Sequence, residues 1–274
     1  MKITQSPIYI GTSNIVLPGN KTSFPEQFRS GTRLQYYSSI FNSLEVNSSF
    51  YKLPQAKTFA KWTKEVADNF HFSVKLPQLI SHAKQLNFEP ADIDDFMFTT
   101  RELNKHKGAL LIQFPASITV DYSEKILGIL HHLNALQTGP FWQLAVEVRH
   151  RSFYTNDFYA ALRQYQASLV FHDMPNSKTP MDQTATEFIY LRFHGPSGNY
   201  TGTYDDKTIE AYARWIWQWR NEGKAIYVYF NNTIGDAYNN ALTLQKMLEF
   251  ISNKNSAHSA VTEIRHTDPD IRTK

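Results

Sequence analysis

Charged and polar side chains stand near the ends of several strand-like runs in this sequence. They are Glu45, Asn47, Lys75, Gln113, Glu147, Arg149, Asp173, Arg192, His194 and Asn231. Two carboxylates in different surroundings can act as general acid and general base, and a lysine ammonium can polarise a leaving oxygen. Arginine presents a planar fork of N–H donors that matches a phosphate or carboxylate group. These residue types predict acid–base chemistry on an anionic substrate.

Residue type and strand position assign roles within this set. We predict catalytic roles for Glu45, Lys75, Glu147 and Asp173. We predict substrate-binding roles for Asn47, Gln113, Arg149, Arg192, His194 and Asn231. Glu147 and Arg149 lie two residues apart on one strand and therefore share a face. Arg149 holds the anion in this interpretation. Glu147, with Lys75 or Arg192 as its partner, serves as general base or orienting group.

Eight strand-like runs with helical segments between them must position these residues. The runs are Ile8–Thr12, Leu44–Asn47, Phe70–Lys75, Ala109–Phe114, Leu144–Arg149, Ser168–Asp173, Phe188–His194 and Ala225–Asn231. The segments with helical spacing are Leu34–Phe41, Thr58–Val66, Ala91–Lys105, Ser123–Leu136, Asn156–Gln166, Asp206–Glu222 and Asp236–Ser252. This alternation predicts an α/β fold, a single (β/α)8 TIM barrel. Residues 174–187, between the sixth and seventh strands, contain two prolines and no apolar period, which predicts an irregular connection.

Alternate side chains of each strand should face the barrel interior and the surrounding helices. The inner set becomes charged towards the carboxyl ends of the strands, the barrel mouth, where such barrels build active sites. Unpaired buried charges are costly, so inner carboxylates and cations should neutralise each other. The carboxylates are Glu45, Glu147 and Asp173, and the cations are Lys75, Arg149 and Arg192. The alternative is an ionic plug that only fills the barrel. On the sixth run, the alternation of side chains between the two faces leaves open whether His172 or Asp173 faces inward.

Composition limits the class of protein. The 274 residues carry 28 Lys+Arg against 25 Asp+Glu, a formal net charge of +3, and no cysteine. The lack of cysteine excludes a disulfide scaffold, a thiolate metal site and a cysteine nucleophile. No run of about 18 apolar residues occurs, so we expect a soluble, cytoplasmic protein with no membrane partner. We expect the barrel domain at residues 1–253 and a mobile polar tail at 254–274.

Seven short blocks between Tyr9 and Leu248 carry a resemblance to a known family. They are Tyr9-Ile10-Gly11-Thr12-Ser13, Leu44-Glu45-Val46-Asn47-Ser48-Ser49-Phe50-Tyr51, Val74-Lys75 with Ser81-His82, Gln113-Phe114-Pro115, Val146-Glu147-Val148-Arg149-His150, Tyr190-Leu191-Arg192-Phe193-His194-Gly195 and Tyr229-Phe230-Asn231-Asn232. In these blocks the chain resembles the YecE-like family, also called domain of unknown function 72. The resemblance implies a TIM barrel and no established reaction. The chain departs from the family pattern at Asn14-Ile15, where the family usually shows Gly-Trp.

Three functions remain open at this point. The leading hypothesis is a hydrolase- or phosphoesterase-like enzyme that acts at the barrel mouth on a phosphorylated or phosphodiester substrate. The alternative is a non-catalytic protein that binds an anionic metabolite or a nucleic acid at the barrel mouth. The sequence predicts no oligomeric state. The second alternative is a metal-dependent barrel resembling endonuclease IV or sugar isomerases. Lys75, Arg149 and Arg192 belong to the same inner layer and would repel a divalent ion. We therefore expect no cofactor and assign no metal ligand. A bound divalent metal is the alternative.

Overall fold

Strands and helices alternate along the chain in the computed structural model, which describes residues 6–181 and 188–266. The strands are β1 (Ile8–Thr12), β2 (Ser43–Val46), β3 (His71–Lys75), β4 (Lys107–Gln113), β5 (Gln143–Glu147), β6 (Ala167–Leu169), β7 (Phe171–His172), β8 (Phe188–Phe193) and β9 (Ala225–Phe230). The helices are α1 (Glu26–Arg29), α2 (Arg33–Ser38), α3 (Ala56–Trp62), α4 (Gln78–Ser81), α5 (Pro90–Thr100), α6 (Ser123–Ala135), α7 (Asn156–Gln164), α8 (Asp206–Asn221) and α9 (Ala237–His266). Each strand-like run predicted from the sequence overlaps an observed strand.

The observed elements differ from the predicted pattern in a few places. The predicted sixth strand is split at Val170 into β6 and β7. Helices α1 and α4 have four residues each, too few to show an apolar period in the sequence. Residues 174–181, the described part of the predicted irregular connection, contain turns and no helix, and residues 182–187 lie outside the described residues. Helix α9 continues to His266, so the segment predicted as a polar tail is helical up to that residue. Residues 267–274 lie outside the described residues.

The strands form two parallel sheets. Their orders are β2-β3-β4-β5-β6 and β1-β9-β8-β7. Every pairing between the described strands is parallel, so the carboxyl ends of each sheet lie at one edge. A parallel bridge between Ser13 and Glu45 connects the two sheets beyond β1, and only Val170 separates β6 from β7.

The two sheets share an interior layer of buried side chains. This layer is formed by Ala109, Leu111, Ala145, Val170, Phe188, Tyr190, Tyr227 and Tyr229. The hydroxyl of Tyr229 on β9 also lies 2.5 Å from the hydroxyl of Ser43 on β2 and 2.9 Å from that of Ser73 on β3. The polar end of the Tyr229 ring therefore meets partners on the opposite sheet, and the side chains of this layer fill the interior.

The other faces of the strands pack against the helices. Val146 of β5 and Leu191 of β8 belong to the large apolar core that also contains the buried residues of α6. Those residues are Ile126, Ile129, Leu130 and Leu133. Their spacing of three, four and seven residues places them on one side of a helix. The alternation of inner and outer residues predicted from the sequence agrees with this division. Within the described residues, no helix is long and apolar enough to cross a membrane.

The first two strands approach each other too closely for a side chain at Gly11. A Cβ atom at this position would lie 2.0 Å from the backbone oxygen of Ser43. The Tyr37 hydroxyl fills the remaining space, accepting from the Thr12 backbone N–H at 2.7 Å and donating to the Ser43 oxygen at 3.1 Å. The absence of a side chain at Gly11 thus lets β1 and β2 bring their ends together.

Candidate active site

Charged and polar side chains from six strands meet at the carboxyl ends of the two sheets. They are Glu45 on β2, Lys75 on β3, Gln113 on β4, Glu147 on β5, His172 on β7 and Arg192 on β8. Arg149 follows β5 by two residues, and His194 directly follows β8. Because successive side chains alternate between strand faces, these positions all point to the shared interior. Residues far apart in the sequence are thereby brought into contact.

Arg192 lies at the centre of this group and contacts two carboxylates from different strands. Its Nε donates to the two oxygens of Glu45 at 2.9 and 3.1 Å, and its Nη2 donates to Glu45 Oε1 at 2.8 Å. Its Nη1 donates to Glu147 Oε2 at 2.9 Å. The hydroxyls of Ser13 and Tyr190 also donate to Glu45, at 2.5 and 2.7 Å. Glu45 therefore has donors on both oxygens, and its charge is well satisfied.

The arginines keep both carboxylates ionised in spite of burial. Burial raises the pKa of Glu45, but the charge and hydrogen bonds of Arg192 outweigh it and hold this pKa below 4.5. Burial also opposes ionisation of Glu147, yet Arg149 and Arg192 hold the pKa of this carboxyl well below 4.5. Burial disfavours the Arg192 cation too, but the carboxylates outweigh it and raise the pKa of the guanidinium. The charges in this group are therefore fixed at neutral pH.

Arg149 completes what we call the ionic cluster, formed by Glu45, Glu147, Arg149 and Arg192. Its Nε donates to Glu147 Oε1 at 2.5 Å, and its Nη2 lies 2.9 Å from Nε2 of His194. Nη1 of Arg192 lies 3.1 Å from the same ring nitrogen. A guanidinium has no acceptor, so Nε2 of His194 accepts and Nδ1 carries the proton. Burial lowers the pKa of His194, which is consistent with a neutral ring.

His172 faces the interior, and Asp173 reaches the site through His194. His172 lies two residues beyond the interior residue Val170, and its ring centre is 5.9 Å from that of His194. Asp173 accepts from the His194 backbone N–H at 2.8 Å and lies 3.3 Å from Nδ1 of the ring. Tyr204 donates its hydroxyl to the other oxygen of Asp173. The position of Asp173 favours the Nδ1-protonated form of His194.

Lys75 has no carboxylate partner, which contradicts the sequence-based expectation. The salt bridges at the site join Glu45 and Glu147 to arginine, and no Asp or Glu oxygen among the described residues lies within 4.0 Å of Lys75 Nζ. This nitrogen lies 4.0 Å from the centre of the Phe50 ring. The prediction was wrong because one guanidinium can bind two carboxylates at once. Burial, together with repulsion from Arg192, lowers the pKa of Lys75 from 10.5 to about 7.

His82 and Gln113 stand on the outer side of Lys75. The His82 ring centre lies 4.7 Å from that of Phe50, and its Nε2 lies 3.5 Å from Nε2 of Gln113. The Gln113 side chain also donates to the backbone oxygen of Phe114 at 3.0 Å. Burial, together with the charge of Lys75, lowers the pKa of His82 to about 4. His82 is therefore neutral at pH 7.

Asn47 and Asn231 lie at the same edge but do not join the ionic cluster. Asn47 directly follows β2, and Asn231 directly follows β9. In the described part of the chain, neither side chain takes part in the hydrogen bonds of the cluster. The buried Oδ1 of Asn47 has no hydrogen-bond partner among the described residues. It is an acceptor that a bound molecule with an N–H or O–H group could satisfy.

Three residues of the site were given no role from the sequence. Ser13 directly follows β1, so the rule that polar residues at strand ends form the site would have included it. Tyr190 lies two residues before Arg192 on β8, so the alternation of side chains along the strand is enough to place it on the same inner face. His82 lies just past the four-residue helix α4, where no periodic signal exists.

The site offers no evident set of metal ligands. Among residues 6–181 and 188–266, no three His, Asp or Glu side chains are grouped so that they could hold one metal ion. Arg192 occupies the position between Glu45 and Glu147 that an ion shared by the two carboxylates would need.

Parallel strands with charged side chains at their carboxyl ends place this chain in the α/β class with a barrel-like arrangement. The chain belongs to the family described as protein of unknown function DUF72, whose model matches residues 9–263. The UPF0759 protein YecE of Escherichia coli (strain K12) is 32% identical over 148 residues. That match covers 54% of this chain and 50% of YecE, so the chain spans about half the length of this relative. The UPF0759 protein YunF of Bacillus subtilis (strain 168) is 27% identical, with 88% of this chain and 95% of YunF covered.

Solved structures of the same family share the fold. A crystal structure of a DUF72 family protein from Enterococcus faecalis has a TM-score of 0.73 at 24% identity, covering 88% of this chain and 95% of that chain. Another, from Thermotoga maritima, has a TM-score of 0.69 at 26% identity, covering 89% and 99%. These similarities support the α/β fold with parallel sheets.

The backbone explains the departure from the family pattern at residue 14. Asn14 has a φ of 62°, in the left-handed region that glycine adopts freely and asparagine tolerates. Its Oδ1 accepts the backbone N–H groups of Asn47 and Ser48, each at 3.0 Å. A glycine satisfies the backbone angle but supplies no such acceptor. Asn14 therefore also fixes the turn that follows β2.

Proposed function

We propose that the two sheets close into one (β/α)8 barrel. Counting β6 and β7 as one interrupted strand turns the nine segments into eight. The Ser13–Glu45 bridge supports closure at one seam, and the single residue between β6 and β7 supports it at the other. In such barrels, active sites form at the carboxyl ends of the strands. The ionic cluster and Lys75 occupy that end.

We infer that the protein is an enzyme acting on an anionic substrate at this barrel mouth. The observation that carries this proposal is the unpaired ammonium of Lys75. The two carboxylates of the ionic cluster bond to its arginines, and Asp173 bonds to His194 and Tyr204, so a protonated Lys75 has no ion-pair partner among the described residues. A phosphate or carboxylate group of a substrate would supply such a partner. Arg149, whose side chain is 10% exposed, is placed to contact the same anion.

Lys75 is the proposed proton-transferring group. A general base works best when its pKa lies near the operating pH, and the pKa of Lys75 lies at about 7. We assign Glu45 and Glu147 the role of holding Arg192, because their pKa values lie below 4.5 and arginine binds both. We propose that Asp173 positions His194, and that His194 in turn orients Arg149. Asn47, Gln113 and Asn231 remain substrate-binding candidates.

The titration of Lys75 favours an enzyme over a protein that only binds its ligand. Anion binding needs a fixed positive charge, which arginine provides at lower cost. A buried lysine that exchanges its proton near pH 7 is a feature of catalytic sites. A phosphodiester of a nucleic acid remains an alternative substrate, since its charged group has the same chemistry.

Thermal-shift assays with inorganic phosphate, phosphorylated metabolites and short oligonucleotides test the proposal. A ligand at a hundredfold its Kd should add about 2.7 kcal/mol to the free energy of unfolding. We expect this gain to fall strongly in Arg149→Met and in Lys75→Met, each compared with its own ligand-free state. Product analysis of every ligand that binds separates turnover from binding alone.

Lys57→Met is the matched control, because Lys57 is an exposed lysine on α3. It should leave the ligand-induced gain unchanged. No gain with any anion, or an equal gain in the parent and both site variants, would contradict the anionic-substrate proposal. Binding without any product would show that the protein binds its ligand and does not convert it.

A further inference from the structure

The surroundings of Lys75 are those of a nucleophilic amine. The residue is 7% exposed, and its Nζ has no ion pair or hydrogen bond within the described part of the chain. The Phe50 ring covers one side of the amine at 4.0 Å. A hydrogen-bond donor occupies the lone pair of an amine, and an ion pair with a carboxylate keeps the amine protonated. An amine without them is available for bond formation once it is deprotonated.

Other lysines of the chain differ in these respects. Lys105 and Lys61 pair with Asp68 and Glu65 at 2.8 and 3.7 Å. Lys107 is half-buried, its Nζ contacts the backbone oxygen of Thr138, and it stands at the opposite end of its strand from the site. Lys107 is therefore a matched comparison for partial burial without the surroundings of the site.

We propose that Lys75 forms an imine with the carbonyl group of an aldehyde or ketone that also carries a carboxylate or phosphate. This inference rests on the anionic-substrate proposal and names its substrate class; with such a substrate Lys75 acts as the nucleophile, in place of the general-base role. The lone pair of Nζ attacks the carbonyl carbon, and a proton passes from Nζ to the carbonyl oxygen to give a carbinolamine. The hydroxyl group takes up a second proton, from solvent, and leaves as water while the C=N bond forms, so the imine nitrogen keeps one proton and one positive charge. Nothing is oxidised or reduced, and one water is released for each imine formed.

Charge balance explains why the carbonyl compound should be an anion. The protonated imine keeps the single positive charge of the ammonium that it replaces. The carboxylates of the ionic cluster attract this charge, but they are bonded to Arg149 and Arg192, and neither forms an ion pair with Lys75. The carboxylate or phosphate of the substrate would be the direct partner.

The supply of free amine also separates Lys75 from an exposed lysine. At pH 7, an ordinary lysine with a pKa of about 10.4 is deprotonated in roughly one molecule in a few thousand. Burial, with repulsion from Arg192, lowers the pKa of Lys75 to about 7, so about half of the molecules carry the free amine at that pH. The imine should therefore form at Lys75 well before it forms elsewhere.

Borohydride trapping tests this inference on the full-length chain. The protein is incubated at pH 7 with glyoxylate, pyruvate or glyceraldehyde 3-phosphate, reduced with sodium cyanoborohydride, and analysed by intact-mass and peptide mass spectrometry. We expect one adduct per chain, on Lys75, formed at least tenfold faster than on Lys107. The oxo acids and the phosphorylated aldehyde distinguish the two anionic groups, and glyceraldehyde serves as the uncharged comparison.

Two variants make the result specific. Lys75→Arg keeps the charge but has no nucleophilic amine, so it should abolish the fast adduct. Lys107→Arg should leave that adduct in place. Adducts spread evenly over lysines, or a fast adduct that persists in Lys75→Arg, would overturn the inference.

A parallel measurement with inorganic phosphate separates the two proposals. If phosphate stabilises the protein in a Lys75-dependent way and no carbonyl compound is trapped, the imine fails and the anionic-substrate proposal stands. If neither phosphate binding nor trapping occurs, both fail.

Discussion

The unpaired ammonium of Lys75 should make the stability of the fold depend on pH between about 7 and 10.5. Burial, with repulsion from Arg192, lowers the pKa of this amine from 10.5 to about 7. At about 1.4 kcal/mol per pH unit, this difference makes the ammonium roughly 5 kcal/mol less favourable in the folded chain than in the unfolded chain. Lys75→Met removes the charge and keeps a side chain of similar length.

The sign follows from proton binding. Between pH 7 and 10.5 the unfolded chain keeps the proton on Lys75 while the folded chain releases it, so the free energy of unfolding rises with pH. This contribution is fully present above 10.5 and is lost as the pH falls to about 7. From pH 7 to about pH 9.5 the parent should gain about 3 kcal/mol that Lys75→Met does not gain. At pH 7 the variant should be more stable than the parent by several kcal/mol, because it no longer carries the cost of a buried ammonium.

Urea denaturation at several pH values, followed by circular dichroism, measures both quantities. The difference between parent and variant cancels the titration of groups that the two proteins share. Lys57→Met controls for the loss of one positive charge and should follow the parent at every pH. A Lys75→Met variant less stable than the parent at pH 7, or two parallel pH profiles, would contradict the lowered pKa of Lys75.

Three further outcomes are expected. Arg192→Met leaves two buried carboxylates poorly compensated and should lower the free energy of unfolding by about 3–5 kcal/mol in chemical denaturation. Arg149→Met should lower it clearly less, because the Arg149 side chain is partly exposed and Arg192 remains. Equal losses in the two variants would contradict this expectation. Asp173→Ala removes the acceptor beside Nδ1 of His194, so nitrogen NMR should show an altered tautomer population, and an unchanged spectrum would disprove the positioning role. Gly11→Ala places a Cβ atom 2.0 Å from a backbone oxygen and should cost about 3 kcal/mol or more, measured by denaturation; a variant as stable as the parent would show that the strands separate easily.

The strand order and the inner faces were predictable because buried parallel strands leave a strong pattern. On β5, Val146 turns to the helices and Glu147 to the interior, as the alternation of apolar and charged residues indicates. The same alternation placed Arg192 and His194 correctly on and beyond β8. The break at Val170 leaves no such pattern, since the run on either side reads as one strand.

Partner choice inside the site could not be read from the sequence. The alternation of side chains along a strand shows which of them point inward. It does not show which carboxylate each cation binds. The expectation for Lys75 failed for this reason, because Arg192 spans Glu45 and Glu147 and leaves no carboxylate for the lysine. The position of Tyr204 on Asp173 depends on a loop with no periodic signal.

The contacts of Arg192 also bear on how the chain matures during synthesis. Glu45 and Glu147 lie on one sheet, and Arg192, 45 residues after Glu147, lies on the other. While β8 is still inside the ribosome, Arg149 can pair with Glu147, but within the described residues no other cation bonds to Glu45. Ser13 can reach Glu45 earlier, but its hydroxyl carries no charge. We therefore expect the carboxyl end of the first sheet to stay hydrated until Arg192 joins it, because an ionised carboxylate is costly to bury without a cation.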